Sequence, residues 1–248
     1  MVVYLVLMSS VVAGVLTVLG FKLDAPRKVK LITAFTGAYL MALVCLHFLP
    51  QTFGQHSHDA TGASAHGAAT GLMMGALVLL GFFLQVVLDN FTLGLEHGHA
   101  HCTHDKPPVA MLVGLCLHSF IEAIPLGNGE LDRSNTLLLS GIAVHNYPIS
   151  IVLLSMLLQS GVTRPRALAL LALFTVTAPL GVLAGRIPEI SQYSAHLMAV
   201  VIGIFMHVST TILFETGEDH HYNRQKGIAI ALGIAIAVLS VMLPGHTH

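Results

Sequence analysis

"HSFIEAIPLG" (118–127) sets a histidine and a glutamate four residues apart inside a run that otherwise belongs in oil. Upstream lies "VAMLVGLCL" (109–117), and after a short polar patch another long apolar run begins. Residues i and i+4 share one helix face, one turn apart, so a helix here makes His118 and Glu122 neighbours. The rest of the chain says what kind of helix it is. Of 248 residues, 54% are hydrophobic and 9% charged, with mean hydropathy +0.79. Soluble domains carry about 25% charged residues. A soluble core of this length could not hide so much apolar surface, so the bilayer is the expected solvent. A span needs about 20 mostly apolar residues. Eight candidates run over 2–20, 31–50, 71–95, 108–127, 135–158, 166–185, 194–214 and 227–244. In lipid the backbone must satisfy its own hydrogen bonds, and long continuous runs suit helices rather than barrel strands. The expected fold is an all-α integral membrane protein, one domain over 1–248 with eight transmembrane helices.

The first run has no basic n-region and no cleavage-site pattern, so it reads as a first span rather than a removed signal peptide. Cys45, Cys102 and Cys116 are scattered, two of them within spans, and a disulfide framework is not expected. A formal net charge of −1 gives no case for nucleic acid binding. Nine of the eleven Lys and Arg fall in odd-numbered loops: Lys22, Arg27, Lys28, Lys30, Lys106, Arg164, Arg166, Arg224 and Lys226. Only Arg133 and Arg186 fall in even ones. Odd loops are therefore expected to be cytoplasmic, with both termini outside. The third loop (96–107) carries "HGHAHCTHD" (97–105), with His97, His99, His101 and His104 beside Cys102. Such a tract gathers transition metals loosely and without fixed geometry, and a solvated linker reads equally well. The same two readings apply to "QHSHDATGASAHG" (55–67) on the outer side.

An ionisable group at mid-membrane costs about 2.5–3.5 kcal/mol on insertion scales, which makes each one a functional candidate. His145 and Asn146 sit at a similar depth in the next span. Pro125 follows Glu122 by three residues and Pro148 follows His145 by three. Each proline removes the hydrogen bond to the carbonyl four residues back, here Ile121 and Val144. Freed backbone oxygen is thus expected beside the polar side chains, as in cavities lined by broken helices. Two imidazoles and one carboxylate can form a three-ligand transition-metal site, with water or backbone oxygen completing it. Two alternatives stay open. A buried His–Glu pair can simply hold two helices together. A bis-His haem can use His118 and His145, although that leaves the glutamate unexplained. Asp89, with Gln85 one turn earlier, and His207, with Thr211 and Glu215 on its face, either line a pathway or cap helix contacts. His47 and Glu215 lie near span ends, where an interfacial role is favoured.

At these residues the chain resembles the ZIP (Zrt/Irt-like) family of metal transporters. "LHFLPQ" (46–51) is similar to the family's H-x-L-P-E, with Gln51 in place of the acid. "GFFLQVVLDN" (81–90), followed by a His-rich loop, is similar to its third span, with Asp89 where an acid is usual. "HSFIEAIPLG" is close to H-[NS]-x-x-[ED]-G, with Ala123 for glycine, and "TVTAPLG" (175–181) resembles T-P-x-G. The fifth span departs from the pattern. "HNYPIS" (145–150) keeps His145 and Pro148 but puts Ile149 and Ser150 where the family has an acid or second histidine.

The resemblance implies an eight-helix bundle in which inverted three-helix repeats flank spans four and five. It implies uptake of a divalent ion into the cytoplasm, Zn²⁺ first, with Fe²⁺, Mn²⁺ and Cd²⁺ as alternatives. His118, Glu122 and His145 would be the ligands. Without the fifth-span acid one site, or a second that is weak, is expected, with Ser119 and Asn146 as neutral remnants. The family analogy also implies a homodimer. An enzyme is not expected, and with no nucleotide-phosphate loop visible, transport would run on gradients. The expected location is a bacterial plasma (inner) membrane. A metal sensor or scaffold that moves nothing, and a haem electron carrier, are the competing functions.

Overall fold

The computed structural model describes residues 1–21, 26–54, 65–92, 108–128, 132–214 and 224–243. His97, His99, His101 and His104, most of the outer His-containing loop, and Glu215 lie outside the described residues. The helices are α1 (Val2–Phe21), α2 (Pro26–Leu43), α3 (Leu49–Gly54), α4 (Ala65–Thr92), α5 (Pro108–Ala123), α6 (Arg133–Gln159), α7 (Arg164–Gly185), α8 (Pro188–Ser191), α9 (Ser194–Phe214) and α10 (Arg224–Met242). A π turn (Val44–Phe48) joins α2 to α3, and a 3₁₀ segment (Ile124–Asn128) ends α5.

Eight helical runs among the described residues are long and apolar enough to cross a bilayer. In order, they are α1, α2 with α3, α4, α5 with its 3₁₀ end, α6, α7, α9 and α10, called spans 1 to 8 below. The chain is thus a multi-pass membrane protein, as expected. Span 2 runs over Lys28–Gly54, longer than the expected 31–50. Pro50 would otherwise interrupt the ladder there, because it cannot donate to the carbonyl four residues back. The π turn shifts the bonding by one residue just before it, with Leu49 N–H donating to Val44 O.

Local chemistry sets the ends of the central helix. Asp132 caps α6 by accepting from Asn135 N–H at 2.7 Å. At the other end Gly161 takes φ +78°. Gly161 N–H donates to Leu158 O and Val162 N–H to Leu157 O, the paired bonds of a Schellman stop that favours glycine. Thr163 then opens α7, whose Pro165 sits in the first turn where no donor is needed.

Span 1 lies along span 5, span 4 along span 6, span 3 along span 7 and span 8 along span 2. Exchanging 1 with 6, 2 with 7, 3 with 8 and 4 with 5 maps these four pairs onto one another. That is the pattern two copies of a three-span unit make, and an odd span count turns the second copy over. Spans 3 and 7 touch backbone to backbone. An added Cβ at Gly81 would overlap the Val200 carbonyl, and one at Gly203 the Val78 carbonyl. Small residues allow such approach in lipid, where packing rather than water drives association.

Span 5 is the most enclosed helix and, at 27 residues, is about 40 Å long. Two apolar clusters meet along it. One gathers Leu40, Leu43, Phe48, Leu138, Ile142 and Phe205 around its first half. The other gathers Met111, Leu115, Ile149, Leu153, Leu157 and Phe174 around its second half.

Candidate metal centre

The polar residues of spans 4 and 5 fall between these clusters. Along α5, His118 and Glu122 follow Leu115 of one cluster and precede Leu126 of the other. Along α6, His145 stands between Ile142 and Ile149. His118, Glu122 and His145 are all at most 1% exposed. Each offers one ligand atom, and these atoms lie within 4.8 Å of one another. Among the described residues this is the one group of three such side chains. The i,i+4 spacing works as the sequence suggests: His118 Nε2 is 3.0 Å from Glu122 Oε1. The His118 and His145 rings meet edge to face with centroids 5.7 Å apart.

This donor set suits a borderline transition ion. Ligands at about 2.0–2.1 Å from zinc stand about 3.4 Å apart in a tetrahedron. The present limit of 4.8 Å is wider, so an ion would draw the three inward. Buried oxygens lie beside them in sequence. Ser119 Oγ and Asn146 Oδ1 are enclosed and form no hydrogen bond within the described chain. The haem reading leaves unexplained the glutamate oxygen that lies 3.0 Å from His118 Nε2.

Asp89 and His207 are brought together, but outside the group of three. His207 Nε2 and Asp89 Oδ2 are 2.6 Å apart across spans 3 and 7. Gln85 ties that pair to the centre. Its Nε2 donates to Asp89 Oδ1 at 3.1 Å, and its Oε1 is 2.9 Å from His118 Nδ1. The sequence places Gln85 one turn before Asp89, but only interhelical register shows that it meets His118.

One expectation needs amendment. The carbonyl freed by Pro148 does not serve the centre: Val144 O accepts from Thr36 Oγ1 of span 2 at 3.5 Å. Thr36, Val144 and Tyr147 help line a mostly apolar cavity of about 370 Å³. Helix rotation explains this, since a carbonyl points along the axis from its own residue and not toward the next side chain. Pro125 in turn tightens the chain into the 3₁₀ segment after Glu122. Ile149, which with Ser150 stands where the resemblance implies an acid or second histidine, is 2% exposed in the second apolar cluster. Ser150 Oγ is occupied with Tyr147 O at 2.7 Å. His47 sits in the π turn against Phe48 and is not part of the group.

Comparison with known proteins bears on the family. The family model described as "ZIP Zinc transporter" matches residues 108–240, more than half of the chain. The chain is 24% identical over 285 aligned positions, gaps included, to "Zinc transporter ZIP9" of Micropogonias undulatus, covering 90% of each. It is 25% identical over 224 residues to "Zinc transporter ZIP9-B" of Xenopus laevis, covering 78% of this chain and 70% of that one.

Proposed function

The chain belongs to the ZIP family of zinc transporters, and from that premise we propose that it carries zinc inward across a plasma membrane through His118, Glu122 and His145. The observation that carries this reading is the convergence of three buried ligand atoms at the middle of two neighbouring spans. Glu122 supplies the negative charge that offsets part of the ion's own. His118 and His145 supply neutral nitrogen, which suits zinc better than it suits harder cations. Asn146 and Ser119 offer oxygen beside the ligands, and Asp89 and His207 stand further along the polar line. The two apolar clusters on either side act as seals, and opening one at a time gives alternating access. The lysine and arginine asymmetry supports cytoplasmic odd loops, outward termini and a His-rich third loop that receives the ion.

The test is radiozinc uptake by proteoliposomes against empty vesicles. Uptake well above background is expected, and it should fall several-fold from about pH 7.5 to about pH 5.5, because protons compete with metal for imidazole nitrogen. Flux equal to that of empty vesicles would favour the second reading, a metal-binding sensor or scaffold. The buried Ile149 and Ser150, where the resemblance implies an acid or second histidine, are the observation behind that alternative.

A further inference from the structure

We infer that Gln85 of span 3 is a positioning residue that fixes which nitrogen of His118 meets the ion. This rests on the reading of His118 as a ligand. Gln85 is fully buried. Its side-chain amide has a donating and an accepting end, and its surroundings decide which way it faces. Asp89 offers carboxylate oxygens, which only accept, so the NH₂ of Gln85 faces Asp89 Oδ1 at 3.1 Å. Asp89 is itself anchored from the other side by His207 Nε2 at 2.6 Å. The amide oxygen is left facing His118 Nδ1 at 2.9 Å. An oxygen there requires a proton on Nδ1.

A neutral imidazole with its proton on Nδ1 carries its lone pair on Nε2. Nε2 is the nitrogen beside Glu122 Oε1, at 3.0 Å. The chain Asp89–Gln85 therefore selects the tautomer whose lone pair is on Nε2, the nitrogen nearer Glu122. Carboxylates and carbonyls behind metal-bound histidines act in this way, and losing them typically weakens metal affinity 10–100-fold. Here the carboxylate acts one residue removed, relayed through an amide. The helical spacing makes the relay possible, since Gln85 and Asp89 lie one turn apart on one face of α4.

The test is zinc affinity by calorimetry on the whole purified protein, together with KM and maximal rate of uptake in proteoliposomes. Gln85→Met keeps the volume and removes the acceptor. It is expected to raise the zinc Kd and KM at least about 10-fold with maximal rate within about two-fold. The pair Gln85→Glu with Asp89→Asn exchanges amide and carboxylate while keeping an acceptor toward His118 and a donor between the two positions. It should bring the Kd back to within about three-fold of the parent. Asp89→Asn alone keeps every heavy-atom position but lets the Gln85 amide turn over, and a several-fold loss of affinity is expected. A Gln85→Met protein that binds zinc as tightly as the parent overturns the assignment. So does an Asp89→Asn protein of parental affinity, or an exchanged pair that is folded yet as weak as Gln85→Met. A parent chain that binds no zinc would instead remove the ligand reading itself, which keeps the two failures apart.

Discussion

Glu122→Gln is expected to reduce zinc uptake to the level of empty vesicles while leaving the bundle intact. The replacement is nearly isosteric, and its amide can still hydrogen-bond within the site. What it removes is charge. Glu122 is fully buried, and its two companions in the group are imidazoles. A divalent ion leaving water for this site must recover a large hydration energy, and low local dielectric makes a single carboxylate count heavily. A loss of at least about 100-fold in affinity, about 2.8 kcal/mol or more, is expected. Folding should hardly suffer, because a buried carboxylate also carries a desolvation penalty that the amide lacks. Thermal unfolding without metal should therefore match the parent within a few degrees or exceed it. Uptake retained above about a tenth of the parental rate would show that the cation crosses elsewhere.

Gly203→Leu should cost the protein its fold. The new side chain would begin at the Val78 carbonyl, and its Cβ would lie 2.6 Å from Phe82 N. Both obstacles are backbone, so no rotamer relieves them, and spans 3 and 7 would have to separate. Gly203 and His207 share one face of α9, and Gly81, Gln85 and Asp89 share one face of α4. Separation would therefore break the 2.6 Å contact between Asp89 and His207 as well. A loss of about 4 kcal/mol or more is expected, at the upper end for single substitutions. Gly75→Leu on the same α4 is the control, since nothing lies within 4 Å of the position. Size-exclusion profiles and melting curves in detergent decide the matter. Equal melting of the two variants would mean that the close crossing does not hold the bundle.

The eight spans were legible because the bilayer imposes a length and a polarity on each helix, and both can be read directly from the residues. The convergence of the candidate group was legible for a related reason. His118, Glu122 and His145 are expensive in lipid, and the four-residue spacing of the first two survives in any helix. Contacts between helices were not legible in the same way. Gln85 reaches His118 because of the crossing of spans 3 and 4, which depends on their rotation and vertical offset. The Val144 carbonyl shows the converse. Proline chemistry says correctly that this oxygen loses its donor, but the direction it faces belongs to the packing of span 2 against span 5. The longer second span was hidden because a π turn has no composition of its own.

Ile149 has an electrical consequence. Four residues after His145 this chain packs a hydrocarbon, which adds no charge beside the candidate group. On the proposed reading, one carboxylate and two neutral rings around Zn²⁺ would add up to a single positive unit, and the same site without cargo to a single negative one. Each unit charge crossing the field is worth about 2.3 kcal/mol per 100 mV. An interior-negative voltage thus pulls the loaded site inward and pushes the empty site back out, so both halves of the cycle lean the same way. Uptake should accordingly steepen with an imposed potassium diffusion potential and carry a measurable current, and a rate indifferent to voltage would contradict it.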